Sequence, residues 1–228
     1  MHIDMHNVYD ESFDDFYTAV SYMIWCKQIK TLSKSEIAEK VLSQKNKYHA
    51  YFYCLKFKYK SKKVEKIILD SKDPKFAFLF YRDVNCDKSL MRKILFESNS
   101  SKYLSKMAEL NSSYFKKAKK VVLNNQDEQS AISLLRINKD SKLINMVIKS
   151  KKPKYVYNLY KIIGYSKKIE DKLIELGNIK YLAYFAKDKK SNLEKIENFV
   201  RMSNKQKDIL FFAEKVERSK LHELLIFS

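Results

Sequence analysis

The sequence predicts an all-α fold, an α-solenoid of about seven antiparallel helix pairs of ~26 residues each, preceded by an N-terminal capping helix. Three observations predict it. The 228 residues include only 2 glycines and 2 prolines, too few for the tight turns of a β-rich fold. A phrase that joins a lysine to an aromatic residue recurs with a nearly constant period, as in repeat arrays. Each copy places apolar residues at the spacing of one helix face.

The recurring phrase is clearest at residues 71–83, SKDPKFAFLFYRD, and looser copies begin at Ser150 and Leu176. Alignment of the copies gives seven anchor positions, 25 to 28 residues apart, of which two are degenerate. The anchors are Tyr48, Phe76, Tyr103, Ser130, Tyr155, Tyr181 and Asp208. The residues four positions later are all large and apolar: Phe52, Phe80, Met107, Leu134, Leu159, Phe185 and Phe212.

Each repeat is predicted to contain two short helices. Helix A starts at the phrase, where Asp73 can accept a backbone hydrogen bond as the N-cap and Pro74 suits the first helical position. Helix B is expected between successive A helices, over 89–98, 168–177 and 192–203, where apolar residues again follow helical spacing. Because helices of about ten residues are marginal alone, we expect them to stack on their neighbours.

Two regions are predicted along the chain. Residues 1–38 form an acidic N-terminal capping region, and residues 39–228 form the repeat array as one continuous domain. In the first region, residues 11–27 have the pattern of an amphipathic helix that carries the only tryptophan, Trp25. The first 20 residues contain five acidic residues and no lysine or arginine. No stretch rich in Gly, Pro or Ser suggests a linker between separate domains.

The N-terminus and the cysteines predict the compartment. An acidic start is the opposite of the basic n-region of a signal peptide, and no apolar run approaches the ~20 residues that span a bilayer. Cys26, Cys54 and Cys86 show no CxxC spacing, which favours reduced thiols in a reducing compartment. We therefore expect a cytoplasmic monomer that does not enter a membrane.

Two copies of the phrase, DPKFAFLFYRDV and GNIKYLAYFAKD, carry a family resemblance. They resemble the short tandem helical repeats of uncharacterised phage and giant-virus proteins, and HEAT-type repeats are a more distant likeness. The resemblance implies a helical repeat architecture and a viral or AT-rich parasitic source. Those proteins have no settled activity, so it implies no functional residues.

No catalytic motif is found in the chain. It contains no glycine-rich phosphate loop, G-x-S-x-G, H-E-x-x-H or paired cysteine ligands. His2 and His6 lie four residues apart, but without a third ligand such a pair is more often solvated than metal-bound, and His49 falls on a core position. We therefore predict a protein that is not an enzyme and has neither metal nor cofactor. A minor alternative is a DNA base-excision enzyme, by analogy with HEAT-like proteins that excise alkylated bases.

The net charge predicts a polyanionic partner. The 46 Lys and Arg against 27 Asp and Glu give +19, the sign expected of a nucleic-acid-binding protein. Codon bias is the alternative source of part of this charge, since the chain is also rich in Asn, Ile and Tyr. Only 5 of the 46 basic residues are arginine, which argues against bidentate readout of guanine and favours contacts to phosphate and shape.

Two groups of lysines are the candidate binding residues. A lysine precedes six of the seven anchors, in the first turn of helix A, where the helix dipole disfavours cations. An anionic ligand along that edge would explain the recurrence, and so would descent from one lysine-rich ancestral repeat. This lysine ladder is Lys47, Lys75, Lys102, Lys154, Lys180 and Lys207. The basic segments 45–63, 116–120 and 149–154 add Lys58, Lys60, Lys62, Lys63, Lys116, Lys117, Lys119, Lys120, Lys151 and Lys152.

These observations predict a non-enzymatic protein that docks on RNA or on a ribonucleoprotein such as the ribosome. Lysine and tyrosine alternate within residues 45–63, a mixture that contacts phosphates and stacks on exposed bases. The alternative is a scaffold that binds an acidic partner protein, a common use of α-solenoids.

Overall fold

A computed structural model describes residues 16–58 and 61–222 of the chain. Throughout these residues the regular structure is helical and no strand occurs, which confirms the all-α prediction. Several predicted features lie outside the described residues: the acidic N-terminal stretch, residues 11–15 of the capping helix, His2, His6 and Lys60.

The described residues form fifteen α-helices and one 3₁₀ turn. After the capping helix α1, even-numbered helices are B helices and odd-numbered helices are A helices. Each anchor is the second or third residue of an A helix, so the predicted helix starts are confirmed. The helices are α1 (Phe16–Gln28), α2 (Lys34–Gln44), α3 (Lys47–Phe57), α4 (Lys62–Ser71), α5 (Pro74–Asp83), α6 (Lys88–Glu97), α7 (Ser101–Leu110), α8 (Phe115–Asn125), α9 (Glu128–Ile137), α10 (Ser141–Ile148), α11 (Pro153–Ile163), α12 (Lys167–Leu176), α13 (Ile179–Ala186), α14 (Leu193–Met202) and α15 (Gln206–Lys215), with the 3₁₀ turn at Ser112–Tyr114.

The chain forms two compact units that divide between Leu104 and Ser105. We call them the first unit and the second unit. Within each unit, A helices pack one on the next, and B helices pack against A helices and against other B helices as a second layer. The single continuous array predicted over 39–228 stays a prediction.

In the first unit, α1, α3 and α5 pack side by side. Aromatic rings pair in register between α3 and α5: the centroids of Tyr48 and Phe76 are 4.6 Å apart, and those of Tyr51 and Phe80 are 6.1 Å apart. Because the early residues of one helix pair with the early residues of the next, the two A helices run in the same direction. Trp25 of α1 is buried against α3, as expected of a capping helix.

The second unit repeats this arrangement with α9, α11, α13 and α15. Between α11 and α13, the ring centroids of Tyr157 and Tyr181 are 5.5 Å apart, and those of Tyr160 and Phe185 are 4.9 Å apart. These two A helices therefore also run in the same direction.

Helix ends follow from local sequence. The side chain of Asp73 accepts a hydrogen bond from the Lys75 amide at 2.9 Å, and Pro74 opens α5, as predicted. Glycine is scarce, so three consecutive helices, α2 to α4, end on lysines in the left-handed conformation, which costs roughly 1–2 kcal/mol per residue. These lysines are Lys45, Lys58 and Lys72, with φ of 46° to 50°.

The core is the apolar stripe predicted from the repeat. All seven side chains four positions after the anchors, from Phe52 to Phe212, are 0% exposed. Their burial accounts for the packing of each A helix onto its neighbours, because short helices gain most of their stability from such contacts. The predicted stripe is therefore confirmed in every copy.

Three B helices bury a glutamate that links one B element to the next. Each carboxylate is at most 5% exposed and accepts a hydrogen bond from a backbone N–H that lies 22 or 23 residues later. In two cases the donor is the N-cap residue of the following B helix. The pairs are Glu65 with Asp87, Glu170 with Asn192 and Glu197 with Lys220.

Candidate nucleic-acid interface

The lysine ladder lies where the repeat predicts it. Lys47 is the first residue of α3, and each of the other five is the second residue of its A helix. Their ammonium groups therefore lie at the positive end of a helix dipole, which is unfavourable by up to ~1 kcal/mol each. The contacts of these lysines differ between the two units.

In the first unit, the ladder lysines are engaged by the protein itself. Lys47 forms an ion pair with Asp73, the N-cap residue of α5. Lys75 Nζ lies 5.6 Å from the ring centroid of Tyr48, and Lys102 Nζ lies 5.3 Å from the ring of the residue that follows it. Part of the positive charge at this edge is therefore used in contacts between and within repeats.

In the second unit, the ladder lysines are exposed and form no ion pair with any carboxylate in the described part of the chain. Each is followed seven or eight residues later by another exposed lysine that has no ion-pair partner in the part of the chain that the structure describes, with a half-buried aromatic residue between the two lysines. We call these nine residues the lysine–aromatic face: Lys154, Tyr157 and Lys161 of α11, Lys180 and Tyr184 of α13 with its C-cap residue Lys187, and Lys207, Phe211 and Lys215 of α15.

The lysine–aromatic face consists of two lysine rows with an aromatic row between them. With a helical rise of 1.5 Å per residue, lysines seven or eight residues apart are separated by about 10–12 Å along each helix. The rows continue from α11 to α13, because Tyr157 lies against both Tyr181 and Tyr184, with ring centroids 5.5 and 6.0 Å apart. The face therefore crosses neighbouring helices.

The alignment of α13 with α15 extends the rows. Arg218, just beyond α15, donates a hydrogen bond of 2.7 Å to the carbonyl oxygen of Ala186, the last residue of α13. At the opposite ends, Lys180 and Asp208 line one small groove. Because both pairs of ends meet, α15 runs in the same direction as α13.

Acidic residues are scarce on this face. Helices α11 and α13 contain none, and α15 contains Asp208 and Glu214. Asp208 lies beside Lys180 in the groove between the two helices. Helices α11 and α13 therefore carry no carboxylate of their own, and the nearest one in sequence, that of Asp188, directly follows Lys187 and accepts a hydrogen bond from Tyr160 of α11.

The lysines of the three basic segments differ in their exposure and in their ion pairs. Exposed side chains are those of Lys58, Lys62, Lys63, Lys116, Lys117, Lys120, Lys151 and Lys152. Lys152 nevertheless forms an ion pair of 3.3 Å with Glu128. Lys63 lines a groove of about 580 Å³ with Lys45 and Lys66, between α2 and α4.

Among the candidate lysines, Lys119 has the clearest structural role. It is half-buried, and its Nζ lies 2.8 Å from a carboxylate oxygen of Asp140, the N-cap residue of α10. Burial acts to raise the pKa of Asp140, but hydrogen bonds from Lys119 and from the amides of Leu143 and Lys142 outweigh it. The pKa of Asp140 is therefore lower than its ordinary value.

We expect Lys119→Gln to raise the pKa of Asp140 towards its ordinary value of 3.8 and to leave RNA affinity unchanged. A lowered carboxyl pKa stabilises the fold above the unfolded-state pKa, and this stabilisation is lost as pH falls through the folded-state pKa. The variant should therefore lose stability near neutral pH and show less acid dependence below about pH 4. Carboxyl NMR titration of Asp140 checks the shift, and an unmoved titration curve would contradict the assignment.

Two of the four tyrosines in the first basic segment belong to the core. Tyr51 is 0% and Tyr53 3% exposed. The Tyr51 hydroxyl donates a 2.6 Å hydrogen bond to Asp83, and burial and that carboxylate raise its pKa. These two rings are therefore not available for stacking on bases.

Sequence reasoning missed six members of the lysine–aromatic face. The second lysine of each helix follows the ladder lysine by seven or eight residues, as in "NLYKI", "YFAKD" and "FFAEK". That spacing, two helical turns, was available as a signal. The sequence does not show that the aromatic positions are exposed. The corresponding residues of the first unit, among them Tyr51 and Leu79, are fully buried, so a large apolar or aromatic residue at these positions fits burial equally well.

Within the described residues, no group of three or more His, Cys, Asp and Glu side chains could hold a metal ion. Cys54 and Cys86 are buried free thiols. Burial, followed by the charge of Glu65, raises their pKa values to about 12 and about 11, so both are protonated at neutral pH and poorly nucleophilic. His49 is half-buried beside Gln44, with Nδ1 2.8 Å from its side-chain oxygen.

Fold and surface together define an all-α helical repeat protein with a basic, partly aromatic face. Every helix in residues 16–58 and 61–222 is too short or too polar to span a bilayer. Comparisons of the chain with protein-family models, with curated proteins and with solved structures found no match.

Proposed function

We propose that the protein is a non-enzymatic, cytoplasmic nucleic-acid-binding protein that docks on RNA or a ribonucleoprotein, such as the ribosome, through lysine–phosphate contacts. One observation carries the proposal. The six lysines of the lysine–aromatic face are exposed and have no carboxylate partner among the described residues.

The chemistry of these lysines favours phosphate as the ligand. A lysine ammonium is a compact point charge without the planar fork that reads guanine, so its contacts carry affinity and little sequence information. Each phosphate that a lysine neutralises releases condensed counterions. Affinity for the ligand should therefore depend steeply on salt.

The first test is the salt dependence of RNA binding by the whole chain. Six lysine–phosphate contacts on a single strand predict a slope of log K against log salt of about −4. Between 50 and 200 mM salt this corresponds to a loss of roughly 10²–10³ in affinity. Fluorescence anisotropy of labelled homopolymeric RNA measures it, and weak binding that is insensitive to salt would refute the proposal.

The second test locates the contacts. Replacement of Lys154, Lys161, Lys180 and Lys187 by Gln should make the slope shallower by about 3. A matched control replaces Lys139, Lys142, Lys167 and Lys168, exposed lysines on or just before B helices of the same unit that form no ion pair within the described residues. Both sets remove four charges. The face variant removes two first-turn lysines and the control three, so each relieves part of the unfavourable interaction with the helix dipole.

The control variant should retain most of the slope and affinity. Equal losses in the two variants would mean that binding uses a diffuse basic surface, and would overturn the assignment to the lysine–aromatic face. An acidic partner protein is the competing occupant. If poly-glutamate displaces RNA of equal charge at equal concentration, that occupant is favoured and the proposal fails.

A further inference from the structure

The aromatic row of the lysine–aromatic face distinguishes it from a merely basic surface. Two of its members, Tyr157 and Tyr184, form one cluster with the neighbouring Tyr181 between α11 and α13, and Tyr157 is at its centre. All three rings are half-buried. Their neighbour Tyr160 is anchored, because its hydroxyl donates a 3.1 Å hydrogen bond to Asp188. None of the three clustered hydroxyls donates to a partner within the described residues.

The first unit provides an internal comparison for this cluster. Tyr157 is two residues after its anchor, and Tyr184 is three residues after its own. In the first unit the same positions hold Phe78 and Tyr51, which are 2% and 0% exposed. The fold therefore can bury large rings here completely, and leaves those of α11 and α13 partly open to solvent.

We infer that the ligand of this face is a single-stranded stretch of RNA, whose bases stack on Tyr157, Tyr181 and Tyr184 while its phosphates contact the flanking lysine rows. The inference rests on the proposed function and specifies its ligand. Base–aromatic stacking requires the open face of an unpaired base, whereas a duplex keeps its base faces stacked inside.

The dimensions of the face fit a strand that crosses the helices. The lysine rows lie about 10–12 Å apart along the helices, with the aromatic row between them, so a backbone that follows one row can turn its bases onto the rings. Neighbouring helix axes are about 8–10 Å apart. The lysines of successive helices can therefore meet phosphates of the same strand.

The experiment separates the bases from the phosphates. The full chain is titrated with a labelled oligouridylate, with an abasic ribose-phosphate oligomer of equal length and with an RNA duplex. We expect the oligouridylate to bind at least tenfold more tightly than the abasic oligomer, because each stack contributes about fivefold to 100-fold. Salt slopes for the two single strands should be alike, since they carry the same phosphates.

Variants then assign the effect to the rings. Tyr157→Leu with Tyr184→Leu should lower oligouridylate affinity by tenfold or more and leave the salt slope unchanged, whereas Phe at both positions should retain the affinity. Phe115 and Phe199, half-buried on B helices of the same unit, provide the control when both are changed to Leu. That control should bind as the unchanged protein does.

The outcomes distinguish the inference from the proposed function. Equal, salt-dependent affinity for the oligouridylate, the abasic oligomer and the duplex overturns the stacking inference and leaves phosphate binding intact. Absence of salt-dependent binding to all three overturns both. If the Leu variants do not fold, the comparison of oligouridylate with abasic oligomer on the unchanged protein still decides the inference.

Discussion

Phe185→Ala should lower the free energy of unfolding by about 3–5 kcal/mol, the usual cost of removing a large ring from a packed core. The side chain is 0% exposed. Its ring lies 4.9 Å from that of Tyr160 and 6.0 Å from that of Tyr165, centroid to centroid. Truncation would leave a cavity between α11 and α13, and short helices cannot compensate because they depend on stacking for stability.

The adjacent residue supplies the control. Tyr184 lies on the same helix but is half-exposed, so Tyr184→Ala should cost about 1 kcal/mol, typical of a change outside the packed core. Urea unfolding followed by circular dichroism measures both. Repeat proteins do not always unfold in two states, so hydrogen exchange of the α13 amides should be recorded as well. A loss below 1 kcal/mol for Phe185→Ala would contradict the assigned core face.

The helices and the core could be predicted from the sequence because both depend on local spacing. The residue four positions after each anchor is apolar in every copy and 0% exposed in every copy. Helix B, expected over 168–177 and 192–203, runs from Lys167 to Leu176 and from Leu193 to Met202. Caps such as Asp73 act within three residues, so their effect is also visible in sequence.

The candidate site was less predictable, because its properties depend on contacts between repeats. All six ladder lysines look alike in sequence, yet Lys47 pairs with Asp73, 26 residues away, and Lys154 has no such partner among the described residues. Likewise Tyr51 is buried and Tyr157 is half-exposed. Composition cannot reveal which neighbour fills the space beside a given residue, and that neighbour decides whether a lysine or tyrosine is available to a ligand.

The buried glutamates are a second structural feature that the composition of the chain does not predict. In a chain with 27 acidic residues, composition does not distinguish Glu170 from the exposed Glu175 on the same helix. In the structure Glu170 is 2% exposed. Its Oε2 lies 3.1 Å from the amide nitrogen of Asn192, which is the N-cap residue of α14. Burial, followed by a hydrogen bond from the Tyr165 hydroxyl to the same carboxylate, raises the pKa of Tyr165.

Glu170→Ala should therefore lower the free energy of unfolding by about 1–2 kcal/mol, because it removes the acceptor of the partly buried hydrogen bond from the Asn192 amide. Glu170→Gln retains a side-chain oxygen at that position and should cost less than about 1 kcal/mol.

Glu175, whose partner is Lys172 at 2.7 Å, is exposed, so Glu175→Ala should cost at most about 0.5 kcal/mol. The same urea titration measures all three, and the amide of Asn192 should lose hydrogen-exchange protection only in the Ala variant of Glu170. If Glu170→Ala proves neutral or stabilising, the cost of burying the carboxylate outweighs its hydrogen bonds, and the glutamate does not hold α12 to α14.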